Sequence, residues 1–208
     1  MANLNQWRKR NSLTQVDAAS LLGVSQTYLS LLETGARPLT KMLQNRMKTA
    51  ARKQHQESDD DVFRAQLSAL GFAGFAHVGR SRSKPSPDVL LHSVLARPDA
   101  DSRVVEALPW LVRQYACQMN LGWLVRQAKL YDLQNRLGFL LQAAGVGTPA
   151  VLSAVRELDR ARLLQEATLC WDSMPAATRE WMRANRTPMA KHWNVLTRLQ
   201  TEDVHNAA

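Results

Sequence analysis

Thr14-Gln15-Val16-Asp17-Ala18-Ala19-Ser20-Leu21-Leu22-Gly23-Val24-Ser25-Gln26-Thr27-Tyr28-Leu29-Ser30-Leu31-Leu32-Glu33-Thr34-Gly35 contains two helix starts separated by one stop. The Thr14 hydroxyl can accept from the first free backbone N–H groups of a helix, and Gly23 can take the left-handed conformation that ends one without a β-carbon penalty. The spacing predicts a first helix over Gln15 to Leu22. Ser25 is a second N-cap, and Leu29 and Leu32, three apart, share the face of the next helix that docks inward. Ala19 is small where the two helices should cross, so their backbones can approach at the turn. Gln26, Thr27, Ser30 and Leu31 are left on the outer face.

These features, in register with the Glu33-Thr34-Gly35 exit, resemble the Cro and phage-repressor (XRE) class of helix-turn-helix proteins over about the first quarter of the chain. The resemblance implies an N-terminal domain of four to five helices whose second motif helix enters the DNA major groove while the start of the first meets the backbone. A glutamine at the groove end, Gln26, can donate and accept at once against the N6 and N7 edge of adenine, and the Thr27 methyl and Leu31 can touch a thymine methyl. Ser30 completes the base-facing set. The resemblance gives Gln15 a role on a phosphate or adjacent base, and gives Arg8 and Glu33 an internal ion pair. For Arg8 a phosphate contact is the alternative. Lys9, Arg10, Arg37 and Lys41 are the other backbone-contact candidates. The chain departs from the family at Ala18, where a larger aliphatic is usual, and at Val16 and Leu21, which are apolar where polar residues are usual. Those departures imply a thinner local core and an apolar surface for another subunit or domain to cover.

Charge points the same way. The net charge is +9, and residues 1 to 53 hold nine Lys or Arg against Asp17 and Glu33, so the basic excess is concentrated where the motif lies. Phosphate binding requires such an excess.

With 208 residues, 45% of them hydrophobic, the chain can form one large domain or two small ones. No apolar run approaches the roughly 20 residues that span a bilayer, and no signal peptide is expected, which predicts a cytoplasmic protein without membrane contact. Cys117 and Cys170 lack any Cys-x-x-Cys partner and are expected to stay reduced.

Beyond the motif, Thr40 to Lys53 has helical composition with Leu43 and Met47 four apart, and a further helix is expected from about Asp60 to Leu70. Asp59, Asp60 and Asp61 could suggest a metal site, but consecutive carboxylates point apart and better suit the positive end of that helix. These elements make residues 1–70 the expected DNA-binding domain. Gly71 to Pro87, with Arg80, Arg82 and Lys84, reads as a linker whose basic cluster could brush DNA or act as a solvated hinge.

Residues 88–208 read as a separate helical partner- or effector-binding domain, so the fold class is all-α, with strands improbable for lack of two-residue alternation. Leu90, Leu91, Val94 and Leu95 form one apolar face, and Asp101 or Ser102 caps the next helix, which Pro109 should kink or divide. A long central helix is expected from about Leu121 to Ala144. Thr148-Pro149 and Thr187-Pro188 are two cap-then-proline starts, the second opening a terminal helix with Trp193, Leu196 and Leu199. Trp-Leu-Val-Arg-Gln occurs at 110–114 and again at 123–127. Paired helices of a HEAT-like stack are one reading, although solenoids need about three repeats.

No Ser-His-Asp, nucleophile-elbow, phosphate-loop or metal-ligand spacing is present, so no catalytic residue, cofactor or metal is expected. The expected function is an autoregulating repressor on double-stranded DNA. Its operator would be an inverted repeat read by a homodimer. The second domain would act in an antitoxin-like way, holding a cognate toxin or other operon-encoded protein. A ligand-sensing repressor and an interaction module tethered to DNA are the alternatives.

Overall fold

The computed structural model describes residues 4–11, 13–78 and 85–199, with backbone alone over 51–58. The basic cluster Arg80, Arg82 and Lys84 lies outside the described residues. Eleven α-helices and one pair of two-residue strands are present among them, and the chain divides into two units at Asp59 and Asp60.

The first unit opens with α1, Leu4–Arg10, whose last turn carries Arg8, Lys9 and Arg10 against the negative end of the helix. The next helix, α2, is Gln15–Leu22, the span expected. Thr14 accepts from the Asp17 N–H while the Asp17 carboxylate accepts from the Thr14 N–H, a reciprocal cap at its start. Gly23 then turns the chain at φ 64°, ψ 42°, where any β-carbon would be strained. Ser25 accepts from the Tyr28 N–H at 3.2 Å and starts α3, Gln26–Glu33. Leu4, Ala18, Ala19, Leu22, Leu29 and Leu32 form the core with Leu43 and Met47 of α4, Lys41–Leu70. Ala18 is fully buried, so the smaller residue is accommodated, while Val16 and Leu21 are exposed.

That fourth helix corrects an expectation. A new helix is expected from near Asp60, yet α4 runs unbroken from Lys41 through Leu70. No Gly or Pro occurs between Thr40 and Gly71, and polar residues of helical propensity do not stop a helix. The domain boundary shifts with it. Phe63, Leu67 and Leu70, assigned by the sequence to the DNA-binding domain, lie in the core of the second unit, as does Phe75. Phe75 belongs to a short 3-10 turn, Ala73–Phe75, so the first part of the expected linker is packed structure.

In the second unit α5 is Pro87–Leu95, with Leu90, Leu91, Val94 and Leu95 all buried. Asp101 caps α6, Ser102–Tyr115, accepting from the Arg103 N–H at 2.8 Å. Pro109 does not divide this helix: it is buried between the apolar turns at Val105, Leu108, Leu111 and Val112, and packing holds the helix across the missing N–H. The expected long helix is two helices, α7, Leu121–Leu130, and α8, Gln134–Ala143. Asp132 supplies the left-handed residue between them at φ 57°, and Leu133 N–H returns to Ala128 C=O at 2.8 Å. Asp here does what Gly usually does. The central position belongs to α8, which is buried nearly all round. Its Gly138 faces the Trp193 ring so closely that a β-carbon would lie 2.1 Å from it.

Thr148 caps α9, Pro149–Arg160. The remainder holds α10, Ala176–Ala184, and α11, Pro188–His192, and departs from all-helix where β1, Ala167–Thr168, pairs in parallel with β2, Val195–Leu196, and where Trp171 forms an isolated antiparallel bridge with Asp99. The terminal helix expected through Leu199 therefore stops at His192. Asn194, at φ 51°, turns the chain into β2, and Trp193 is directed into the slot at Gly138. The two Trp-Leu-Val-Arg-Gln copies fall on α6 and α7, each with Trp half-buried and Leu-Val buried.

Candidate nucleic-acid interface

The first unit is organised around Glu33, at the end of α3. Its side chain is only 4% exposed and accepts from Arg8 Nε at 2.6 Å, Arg8 Nη2 at 3.3 Å and Gln15 Nε2 at 2.9 Å. Arg8 Nη1 also donates to Leu13 C=O at 3.1 Å. The Arg8 guanidinium holds the Glu33 carboxyl below its ordinary value, the Gln15 amide adding to the effect against burial. One carboxylate thus fastens α1 and the start of α2 to the end of α3, and the geometry spends Arg8 inside the unit.

A second fastening was not visible in the sequence. Arg46 of α4 donates to Leu22 C=O at 2.8 Å, satisfying a carbonyl at the end of α2, and its guanidinium lies against Gly23. No local signal marks it, because the partners are 24 residues apart.

With α3 held from both sides, its outer face is defined. Leu29 and Leu32 are buried, Gln26, Thr27 and Leu31 are exposed, and Ser30 is half-buried. The structure brings these four side chains together on one face, at the positions expected from helical spacing. Lys9, Arg10, Arg37 and Lys41 are exposed. Arg37 follows the left-handed Gly35, and its N–H bonds Leu31 C=O at 3.1 Å, which ties the loop to the end of α3. Lys41 is the first residue of α4. Gln15 is half-buried, with one amide N–H on Glu33.

No group of three or more His, Cys, Asp or Glu side chains with metal-binding placement occurs among the described residues. Asp61 pairs with Arg64 at 2.6 Å, and Asp60 is buried, its carboxyl raised by desolvation. Cys117 and Cys170 are both unbridged, and no described helix is long and apolar enough to cross a membrane.

Residues 2–51 match the family described as a helix-turn-helix domain. No curated protein and no solved structure matches the chain. The N-terminal unit is therefore a helix-turn-helix domain, the architecture of DNA-binding regulators, followed by a mostly helical unit without a recognised family.

Proposed function

We propose that the chain is a sequence-specific DNA-binding transcription regulator that represses its own promoter. The observation that carries the reading is the outer face of α3, where Gln26, Thr27, Ser30 and Leu31 converge while Arg8 and Glu33 satisfy each other beneath. In this reading Gln26 pairs with an adenine edge, Thr27 and Leu31 contact thymine methyls, and Ser30 adds an adaptable hydroxyl. Lys9, Arg10, Arg37 and Lys41 bind phosphates. Gln15 keeps one amide N–H on Glu33 and offers the other to the backbone, so it couples docking of α2 to the position of α3.

In this reading the chain binds an inverted repeat as a homodimer, whose twofold axis would present two recognition helices to half-sites about one helical turn apart. The second unit, in the same reading, also captures a cognate protein in an antitoxin-like role, with the exposed Leu164 and Trp181 as the anchors to test. The test is a salt titration of binding to the DNA upstream of this chain's own gene against scrambled DNA of equal length. Tight binding upstream, with weak and steeply salt-dependent binding to the scramble, is expected. Equal weak binding to both overturns the reading.

A further inference from the structure

The second unit contains a cleft of about 790 Å³, within the size range of small-molecule sites. Its walls come from the 3-10 turn, the first turns of α6, and the segments that follow β1 and β2. Phe75, Val105, Leu169 and Leu199 give it a buried apolar floor.

The rim is different in kind. Arg103 and Arg198 both line the opening, and neither meets a carboxylate within ion-pair distance among the described residues. Some other arginines of the unit do: Arg64 reaches Asp101, Arg136 reaches Asp172, and Arg183 reaches Glu166. Arg198 lies with its guanidinium carbon 4.3 Å from the centroid of the Trp171 ring. Stacking occupies the face of a guanidinium and leaves its N–H edge for a planar anion. Glu106, also on the rim, sets one anion against the two cations, so the opening carries a single net positive charge, which suits one carboxylate rather than two.

We infer that this cleft binds a small monocarboxylate with an aromatic or bulky aliphatic body, its carboxylate on Arg103 and Arg198 and its body between Trp171 and the floor. Binding is non-covalent. The one cysteine in the wall, Cys170, is held as a thiol, because burial pushes it up to about 12 and its Sγ donates to Val94 C=O.

The test is calorimetric titration of the full chain with benzoate, 2-naphthoate and decanoate, and with 2-naphthylmethanol as the neutral control. Saturable one-to-one binding of at least one carboxylate is expected, with 2-naphthylmethanol weaker by about tenfold or more. Arg198→Gln and Arg103→Gln, both at exposed positions, should each weaken the carboxylate about tenfold while leaving the melting temperature unchanged. The inference is overturned if none of the three acids binds more tightly than about 1 mM. It is equally overturned if acid and alcohol bind alike, or if the double arginine variant binds as the parent does. The titration contains no DNA, so a negative result leaves the DNA-binding reading standing.

Discussion

Each unit has a charged side chain that gathers partners from distant segments, and the two are of opposite sign. In the first, the Glu33 carboxylate accepts from Arg8 and Gln15. In the second, the buried Arg136 guanidinium donates to Leu95 C=O, Arg97 C=O and Asp172 Oδ1, each at 2.9 Å, closing the end of α5 against α8. A carboxylate hub draws cations inward, yet the first unit still carries Lys9, Arg10, Arg37 and Lys41 on its surface. A guanidinium hub draws carbonyls and a carboxylate inward, and the second unit, from Asp60 on, carries 18 Lys or Arg against 14 Asp or Glu. The first unit concentrates a net charge of +5 in 59 residues and the second spreads +4 over 149, so positive charge is denser where the motif lies.

If the units are organised separately, breaking one core should spare the other's function. The largest effect is expected from Trp193→Ala, which removes a fully buried ring hydrogen-bonded to Gln142 Oε1 at 2.6 Å. It should destabilise the second unit by about 3–5 kcal/mol in urea unfolding, with DNA affinity unchanged. A parallel fall in DNA affinity would break the contrast.

Within the first unit, Gln26→Ala should cost about 1–3 kcal/mol on the operator and relax preference at one or two base pairs, read by competition between operator variants. Equal losses on operator and random DNA would remove Gln26 from the base-reading set. Gly23→Ala should destabilise the first unit by about 1–2 kcal/mol, since φ 64° strains any side chain and the Arg46 guanidinium stands 3.1 Å from the new β-carbon. Lys41→Ala should weaken all sequences alike and reduce the slope of log affinity against log salt by about 0.9.

The smallest effect concerns acid. Glu33 in the folded chain titrates below its ordinary 4.5, so its contribution to stability is full above that value and lost as pH falls through the folded pKa. Glu33→Gln should remove this acid limb from the first unit's melting curve. Glu166, held low by Arg183, should keep one in the second. Acid limbs that remain identical in parent and variant would mean that Glu33 is not the hub.

Thr14, Gly23 and Ser25 made the first unit legible because caps and a left-handed turn are decided by neighbours in the chain. The outer face of α3 was legible for the same reason, since spacing alone puts Thr27 and Leu31 opposite Leu29 and Leu32, with Gln26 and Ser30 on the flank between. What escaped was long-range: the bonds from Arg46 to Leu22 and from Gln15 to Glu33. In the second unit, the break at Asp132 was hidden because no glycine announces it. The three-residue spacing of Trp193, Leu196 and Leu199 imitates a helix, although Asn194 turns the chain there and β2 follows. Apolar spacing reports which residues are buried, and it cannot by itself distinguish a buried helix from a short buried strand.

The slot at Gly138 bears on how the second unit can evolve. A β-carbon there would lie 2.1 Å from the ring of a tryptophan that is fully enclosed and anchored by its indole N–H. The ring cannot swing aside as an exposed side chain would, so position 138 is closed even to alanine. Saturation mutagenesis selected for folding should return glycine alone at 138 while Trp193 is present. Any other residue should be recovered only with a smaller one at 193, so the two positions form one inherited unit of sequence.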